Sequence, residues 1–299
     1  MKISLITVCW NCAGTVADAM RSVAAQDRLG YDLEYIVVDG GSTDGTAEKV
    51  AAFAGSAAAD CGACPHWLAA PKRLSRVGGC LSPAGERCGA LSFRWVSERD
   101  DGLYDAMNKG VRMATGDVVG ILNADDVLES PGTLSHVAAA FADGVDAVYA
   151  DVRFVRDDLD TTVRRYGARH WRPWMHNWGY MPPHPGVYLR RELFGRLGPY
   201  RTGYRISADF ELMVRYLCRN GVRRRYLPEC VVRMRMGGKS TRNWRANVLL
   251  NVENVRANRE NGYFCCLPMM LPKYLFKIWG FVFRGGACPR PVDNPPTGS

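Results

Sequence analysis

The segment Gly120-Ile121-Leu122-Asn123-Ala124-Asp125-Asp126-Val127-Leu128 passes from an apolar strand pattern directly into two adjacent carboxylates. Unpaired buried charge is costly, so this turn is either a bland exposed loop or a place for a cation held by carboxylate oxygens. The neighbouring strand ends decide between the two.

Working outward, apolar β-rich runs alternate regularly with amphipathic helical patterns. Strands are predicted at ISLITV (3–8), LEYIVVD (33–39), FRWVSE (93–98), DVVGILN (117–123) and VDAVYADVRF (145–154). Helices are predicted at about Thr15–Ala25, Asp44–Ala54, Leu103–Ala114 and Leu134–Phe141. The alternation implies an α/β fold with a mostly parallel, doubly wound central sheet and helices on both faces. Ligands of such sheets collect at the carboxyl ends of the strands. The ends here are Thr7-Val8-Cys9-Trp10-Asn11, Asp39-Gly40-Gly41-Ser42-Thr43-Asp44, Glu98-Arg99-Asp100-Asp101-Gly102 and Asn123-Ala124-Asp125-Asp126. Taken singly each reads as a turn, with Ser42 or Thr43 capping the second helix. Four acidic or polar ends on one rim point to a ligand.

The 299 residues carry 47% hydrophobic and 23% charged side chains, which excludes global disorder. Of the net charge of +9, the stretch from Arg215 onward has 16 basic and 4 acidic residues, which leaves −3 for residues 1–214. That asymmetry argues against a nucleic-acid binder and for an anionic surface or phosphate-bearing ligand near the tail. MKISLITVCW enters the first strand with no signal-peptide pattern, so a cytoplasmic location and reduced thiols are expected. Residues 55–92, rich in Gly, Ala, Pro and Cys, read as a long insertion. Cys61, Cys64, Cys80 and Cys88, with His66 nearby, leave open a structural zinc or an irregular thiol-bearing loop. In the second half, SADFELMVR repeats apolar residues at helical spacing, putting Asp209 in a first helical turn with Ser207 as N-cap. An acid there also complements the helix dipole without further role.

Four pieces together, VDGGSTDGT, DDGLYDAMNKG, ATGDVVGILNADD and SADFELMVR, resemble the family 2 glycosyltransferases of the GT-A nucleotide-diphospho-sugar transferase fold, close to enzymes of bacterial capsule, exopolysaccharide and lipopolysaccharide assembly. The resemblance covers about Met1 to Ser240. It implies that Asp39 reads the nucleotide base, with Thr7 to Trp10 as the adjoining wall, and that Asp100, followed by Asn108 and Lys109, belongs to the donor site. Asn123, Ala124 and Asp125 occupy the place of an Asp-x-Asp element, so a divalent Mg²⁺ or Mn²⁺ is expected on Asp125 and Asp126. Asp209 matches the catalytic base, although Ala208 stands where a second acid often precedes it. Arg233 to Ser240 resembles a Gly-Gly-x-Ser element in which Arg235 or Lys239 meets a phosphate, and His184 in PPHPGVYL is a candidate for the acceptor side.

The implied activity is inverting transfer of a sugar from a nucleotide-diphosphate sugar, UDP-linked by expectation, to a glycan or lipid-linked hydroxyl. The implied domains are a catalytic unit over 1–245, split near 126 into donor and acceptor halves, and a helical tail over 246–299. The stretch YFCCLPMMLPKYLFKIWGFVFRGG is apolar but interrupted by Pro268, Pro272, Lys273 and Lys277, so it is expected to lie on the inner membrane face rather than to span it. Packing on the catalytic domain or in a homodimer is the competing expectation. A dehydrogenase is excluded because no G-x-G-x-x-G follows the first strand, and a nucleotidyltransferase is disfavoured because VCWNCAGTV lacks a basic residue. A non-catalytic nucleotide-sugar-binding scaffold is the alternative that Ala208 keeps open.

Overall fold

The computed structural model describes residues 1–56, 89–236 and 244–273. In chain order the elements are β1 (Lys2–Cys9), α1 (Val16–Ala24), β2 (Asp32–Asp39), α2 (Thr46–Ser56), β3 (Leu91–Ser97), α3 (Leu103–Met113), β4 (Val118–Asn123), β5 (Val127–Leu128), α4 (Thr133–Ala140), β6 (Ala147–Val155), β7 (Thr162–Tyr166), β8 (Val187–Arg190), α5 (Glu192–Leu197), α6 (Ala208–Met213), β9 (Arg224–Arg235) and α7 (Trp244–Glu260). One mixed sheet orders them β3-β2-β1-β4-β8-β6-β9-β5, with β7 on β6. Strands β1, β2, β3, β4, β6 and β9 run one way, and β5, β7 and β8 run against them.

Strands β1 and β2 are buried on both faces because helices cover the sheet from each side, which is why they read as unbroken apolar runs. On one side Val16, Ala19, Met20 and Val23 of α1 enter a core shared with α4 and the odd-numbered residues of β1. On the other, α3 lies so close to β1 that a β-carbon on Gly110 would overlap Ile6. That second core continues through Trp171, Tyr200 and the apolar face of α6.

Four strands escape the sequence pattern: the short β5 and β7, and β8 and β9. The four-residue β8 follows a Pro-rich turn and inserts antiparallel between β4 and β6. The twelve-residue β9 contains Pro228, and its register with β6 slips beside it, pairing Ala150 with Leu227 but Asp151 with Cys230. The predicted tail helix is present as α7. It spans Trp244–Glu260 and packs against α6. No helix among the described residues is long and apolar enough to cross a membrane. The predicted cysteine cluster, Lys239 and residues 274–299 lie outside the described residues.

Candidate active site

Strand register builds the rim. Cys9 pairs with Asp39, Asp39 with Ser97, and Val8 with Asn123, so four strand ends finish side by side. The first two loops are then stitched together. Asn11, in the left-handed region at φ 51°, donates its N–H to Ser42 Oγ (2.8 Å) and accepts at Oδ1 from the Thr43 N–H (2.9 Å). Asp44 accepts from the Ala13 N–H (2.9 Å) and the Thr46 N–H (3.1 Å), and Thr46 Oγ1 accepts from the Cys12 N–H (2.8 Å). Asp44, rather than Ser42 or Thr43, therefore caps the start of α2. Asn11 and Asp44 were legible only as turn residues, because Asn tolerates positive φ and both side chains bond nearby backbone.

Asp39 sits wholly buried at the centre of this rim. It accepts from Ser42 N–H (3.1 Å), Ser42 Oγ and Ser97 Oγ (2.6 Å), which satisfies its charge without a counter-ion. Asp100 accepts from the Gly102 N–H (2.9 Å) and covers Gly40 so closely that any β-carbon there would overlap its carboxylate. Beside them Trp10 stands 53% exposed at the end of β1.

The acid turn divides its two carboxylates. Asp125 is half-buried at the rim. Asp126 is 2% exposed and accepts a 2.9 Å hydrogen bond from Asn123 Nδ2. Burial first, and the Asp125 charge second, push the Asp126 carboxyl up to about 8, against the pull of Asn123 and Arg235. The two expected metal ligands thus differ in access: Asp125 is the carboxylate that reaches the rim, and Asp126 braces Asn123 from behind. The donor set still fits a hard divalent cation. It consists of carboxylate oxygens, with Asp125 outward and Asp126 behind it on Asn123, and among the described residues no group of three or more His, Cys, Asp or Glu forms there, which would leave positions for phosphate oxygens.

Across the rim, α3 and α6 meet. Tyr104, in the first turn of α3, donates its buried hydroxyl to the Ile206 carbonyl and to Asp209 Oδ1 (3.2 Å). Asp209 is half-buried in the first turn of α6. His184 shares a 2.9 Å hydrogen bond with the Tyr200 hydroxyl, and Tyr200 stacks on Tyr104 with ring centroids 6.1 Å apart. Burial lowers the His184 pKa, and the nearby Asp209 charge works the other way. Tyr104 and Tyr200 are site residues that sequence reading passed over, since both match the apolar period of their segments.

Several expectations need correction. Thr7 is fully buried within β1, with its Oγ1 accepting from Tyr35 (3.1 Å), so its side chain is no part of a nucleotide wall. Ala124 is likewise buried. Asn108 clasps the Tyr200 backbone, donating to its carbonyl (2.8 Å) and accepting from its N–H (2.9 Å), which occupies the amide in structure. Lys109 is engaged by the Arg99 carbonyl (2.8 Å), Glu98 (3.0 Å) and Asp105 (3.6 Å). Arg235 ion-pairs with Asp18 of α1 rather than standing free for phosphate. Ser207 occupies the N-cap position of α6, yet its hydroxyl makes no cap bond.

Similarity to known proteins agrees with this geometry. The profile described as "Glycosyl transferase family 2" matches residues 4–62 and 94–227. A "PGL/p-HBAD biosynthesis glycosyltransferase" of Mycobacterium bovis is 32% identical over 226 residues, spanning 75% of this chain and 73% of the relative. An uncharacterized glycosyltransferase of Mycobacterium tuberculosis is 25% identical, over 71% and 68% of the two chains. Among solved structures, S. aureus TarS 1–349 in complex with UDP superposes with a TM-score of 0.53 at 17% identity, covering 86% of this chain and 67% of that one. The mannosyltransferase PcManGT from Pyrobaculum calidifontis, in complex with GDP-Man and Mn²⁺, gives 0.56 at 20% identity over 94% and 72%. The fold is GT-A, the activity is glycosyl transfer, and the chain belongs to glycosyl transferase family 2.

Proposed function

We propose that this enzyme transfers a sugar from a nucleotide-diphosphate donor, UDP-linked, to a hydroxyl of a glycan or lipid-linked acceptor in bacterial surface polysaccharide synthesis, with inversion. The observation that carries the reading is Asp209: a half-buried carboxylate in the first turn of α6, aimed by the Tyr104 hydroxyl. It is suited to act as general base. As the acceptor oxygen attacks the anomeric carbon, its proton passes to Asp209, and the bond from that carbon to the diphosphate oxygen breaks with its electron pair on phosphate. Asp125, backed by the Asn123–Asp126 pair, would hold a Mg²⁺ or Mn²⁺ ion, which when bound neutralises charge on the diphosphate. Trp10 offers a flat apolar face for the base, with Asp39 and Asp100 fixing the loops around it. His184 and Tyr200 border the acceptor side.

Support for the donor class comes from neighbours solved with UDP, UDP-GlcNAc and GDP-Man, and support for a surface-glycan role from relatives named for PGL/p-HBAD biosynthesis. Exposed Phe264, Leu267 and Leu271, beside Arg256 and Arg259, support contact of the tail with an anionic inner membrane face. Co-sedimentation with anionic liposomes tests that contact, and a homodimer without liposome binding would replace it.

The deciding experiment for the chemistry is Asp209→Asn. It should keep UDP affinity within about twofold while turnover falls by roughly 10²- to 10⁴-fold, the usual worth of a general base. Turnover near the wild-type rate would remove Asp209 from the base role. No turnover by the wild type, with donor binding intact, would leave a nucleotide-sugar-binding scaffold.

A further inference from the structure

The loop that delivers Asp209 is held by a residue from outside the family-matched region. Glu253, on α7, is 6% exposed, and its carboxylate accepts three successive backbone N–H groups. Oε1 takes Arg205 (2.8 Å), and Oε2 takes both Ile206 and Ser207 (2.9 Å each). These N–H groups immediately precede the first turn of α6, the end of a helix whose donors an N-cap side chain normally helps to satisfy. Ser207 fails to supply that bond, and its buried hydroxyl has no partner. A carboxylate accepting several N–H groups makes charge-assisted bonds about twice as strong as neutral ones.

The same short loop carries the Ile206 carbonyl, to which Tyr104 donates while it also reaches Asp209. Glu253 therefore grips the N–H side of a segment whose carbonyl side Tyr104 grips. Nearby contacts make α7 a rigid support: Glu260 accepts from Tyr204 (2.8 Å) and Arg201 (2.6 Å), and Asn261 donates to Glu211 of α6 (3.2 Å). The matched family region ends at residue 227, so this support lies in the segment that follows it.

We propose that Glu253 is a positioning residue for the catalytic base: it fixes the 205–207 backbone from α7, and through it the orientation of Asp209. The proposal rests on Asp209 being the base. The buried Glu253 carboxylate is taken up by the 205–207 backbone, so on this proposal its loss acts on the chemical step and spares donor binding.

The test uses the full chain with Glu253→Ala and Glu253→Gln, and Asp209→Asn in parallel. Hydrogen exchange is followed by mass spectrometry, UDP affinity by calorimetry, and UDP release from saturating UDP-glucose, UDP-galactose and UDP-N-acetylglucosamine with water as acceptor. Glu253→Ala should speed exchange selectively in peptides covering 203–210 and lower turnover on the order of 10- to 100-fold, the scale of a small misplacement of reacting groups. UDP affinity should stay within about twofold, because binding energy at the donor site is untouched. Glu253→Gln keeps one acceptor oxygen and turns an NH₂ group toward the remaining N–H, so it should fall between the alanine variant and wild type. Should the alanine variant not fold, the glutamine variant decides at a threshold of about threefold in turnover. Unchanged 203–210 exchange, wild-type turnover in a folded variant, or an equal loss of UDP affinity would overturn the proposal. If Asp209→Asn itself keeps its turnover, the base assignment has failed, and the exchange data still report separately on whether Glu253 holds the loop.

Discussion

Tyr104→Phe isolates one hydroxyl at the point where the two halves of the site meet. The ring stays, so its stacking on Tyr200 at 6.1 Å and its place in the core are kept. What is lost is a single hydrogen shared between the Ile206 carbonyl and Asp209 Oδ1. A hydrogen bond to a charged group is worth about 1.5–3 kcal/mol, and sharing its proton leaves roughly half of that to orient the carboxylate. About 1.4 kcal/mol appearing in the transition state corresponds to about a tenfold loss of kcat. The half-buried Ile206 carbonyl, left short of a donor, should cost about 1 kcal/mol of stability, or roughly 2–4 °C in Tm for a domain of this size. UDP release under saturating donor and differential scanning fluorimetry measure the two effects on the same samples. If Tm falls as expected while kcat stays within about twofold of wild type, the hydroxyl supports the fold alone, and the reasoning that ties it to Asp209 is refuted.

Asp125→Ala should abolish the Mn²⁺-dependent part of UDP binding, whereas Asp126→Asn, which keeps the side chain's shape behind Asn123, should leave most of it; calorimetry with and without Mn²⁺ separates them. Burial lowers the pKa of both His176 and His184 in the folded chain. The folded state thus binds fewer protons than the unfolded one, and its stability should decline as pH falls below about 6.5, the unfolded value, until the folded-state values are passed. Urea titrations at pH 7.5 and 5.5 should show this, and His176→Asn should flatten the slope. Glu34 is buried and accepts from Ser4 Oγ (2.6 Å), Thr115 N–H (2.7 Å) and Thr115 Oγ1 (2.9 Å), tying β2 to β1 and to the turn before β4. Glu34→Ala strands those donors and should cost about 3 kcal/mol by denaturant titration, with UDP affinity unaffected below the transition.

Sequence alone determined the alternation of strands and helices through residue 154, all but the two-residue β5, because parallel strands buried on both faces must be apolar throughout, and helices against them must repeat every three to four residues. It also determined that polar strand ends would share a rim, since parallel strands end on the same side. Asp39, Asp100 and Asp125 were legible there as acids at strand ends, whereas Asp209 read as an acid in a first helical turn and became a candidate base only through the family resemblance.

The tertiary structure decided which of those side chains are free to work. Neighbouring acids in one turn took opposite fates: Asp125 reaches the rim, and Asp126 turns inward onto Asn123. Asn108, Lys109 and Arg235, chemically suited to a phosphate, are taken by Tyr200, Glu98 and Asp18, partners between 11 and 217 positions away in the chain. The strand β9 and the grip of Glu253 on the base loop were equally beyond local pattern, because Pro228 breaks the first signal, and the second joins residues 46 to 48 positions apart. Local periodicity reports which residues are buried. Which buried or half-buried groups satisfy one another is set by the packing of distant segments, and that packing leaves Asp125 and Asp209 half-buried, as the proposed chemistry needs them.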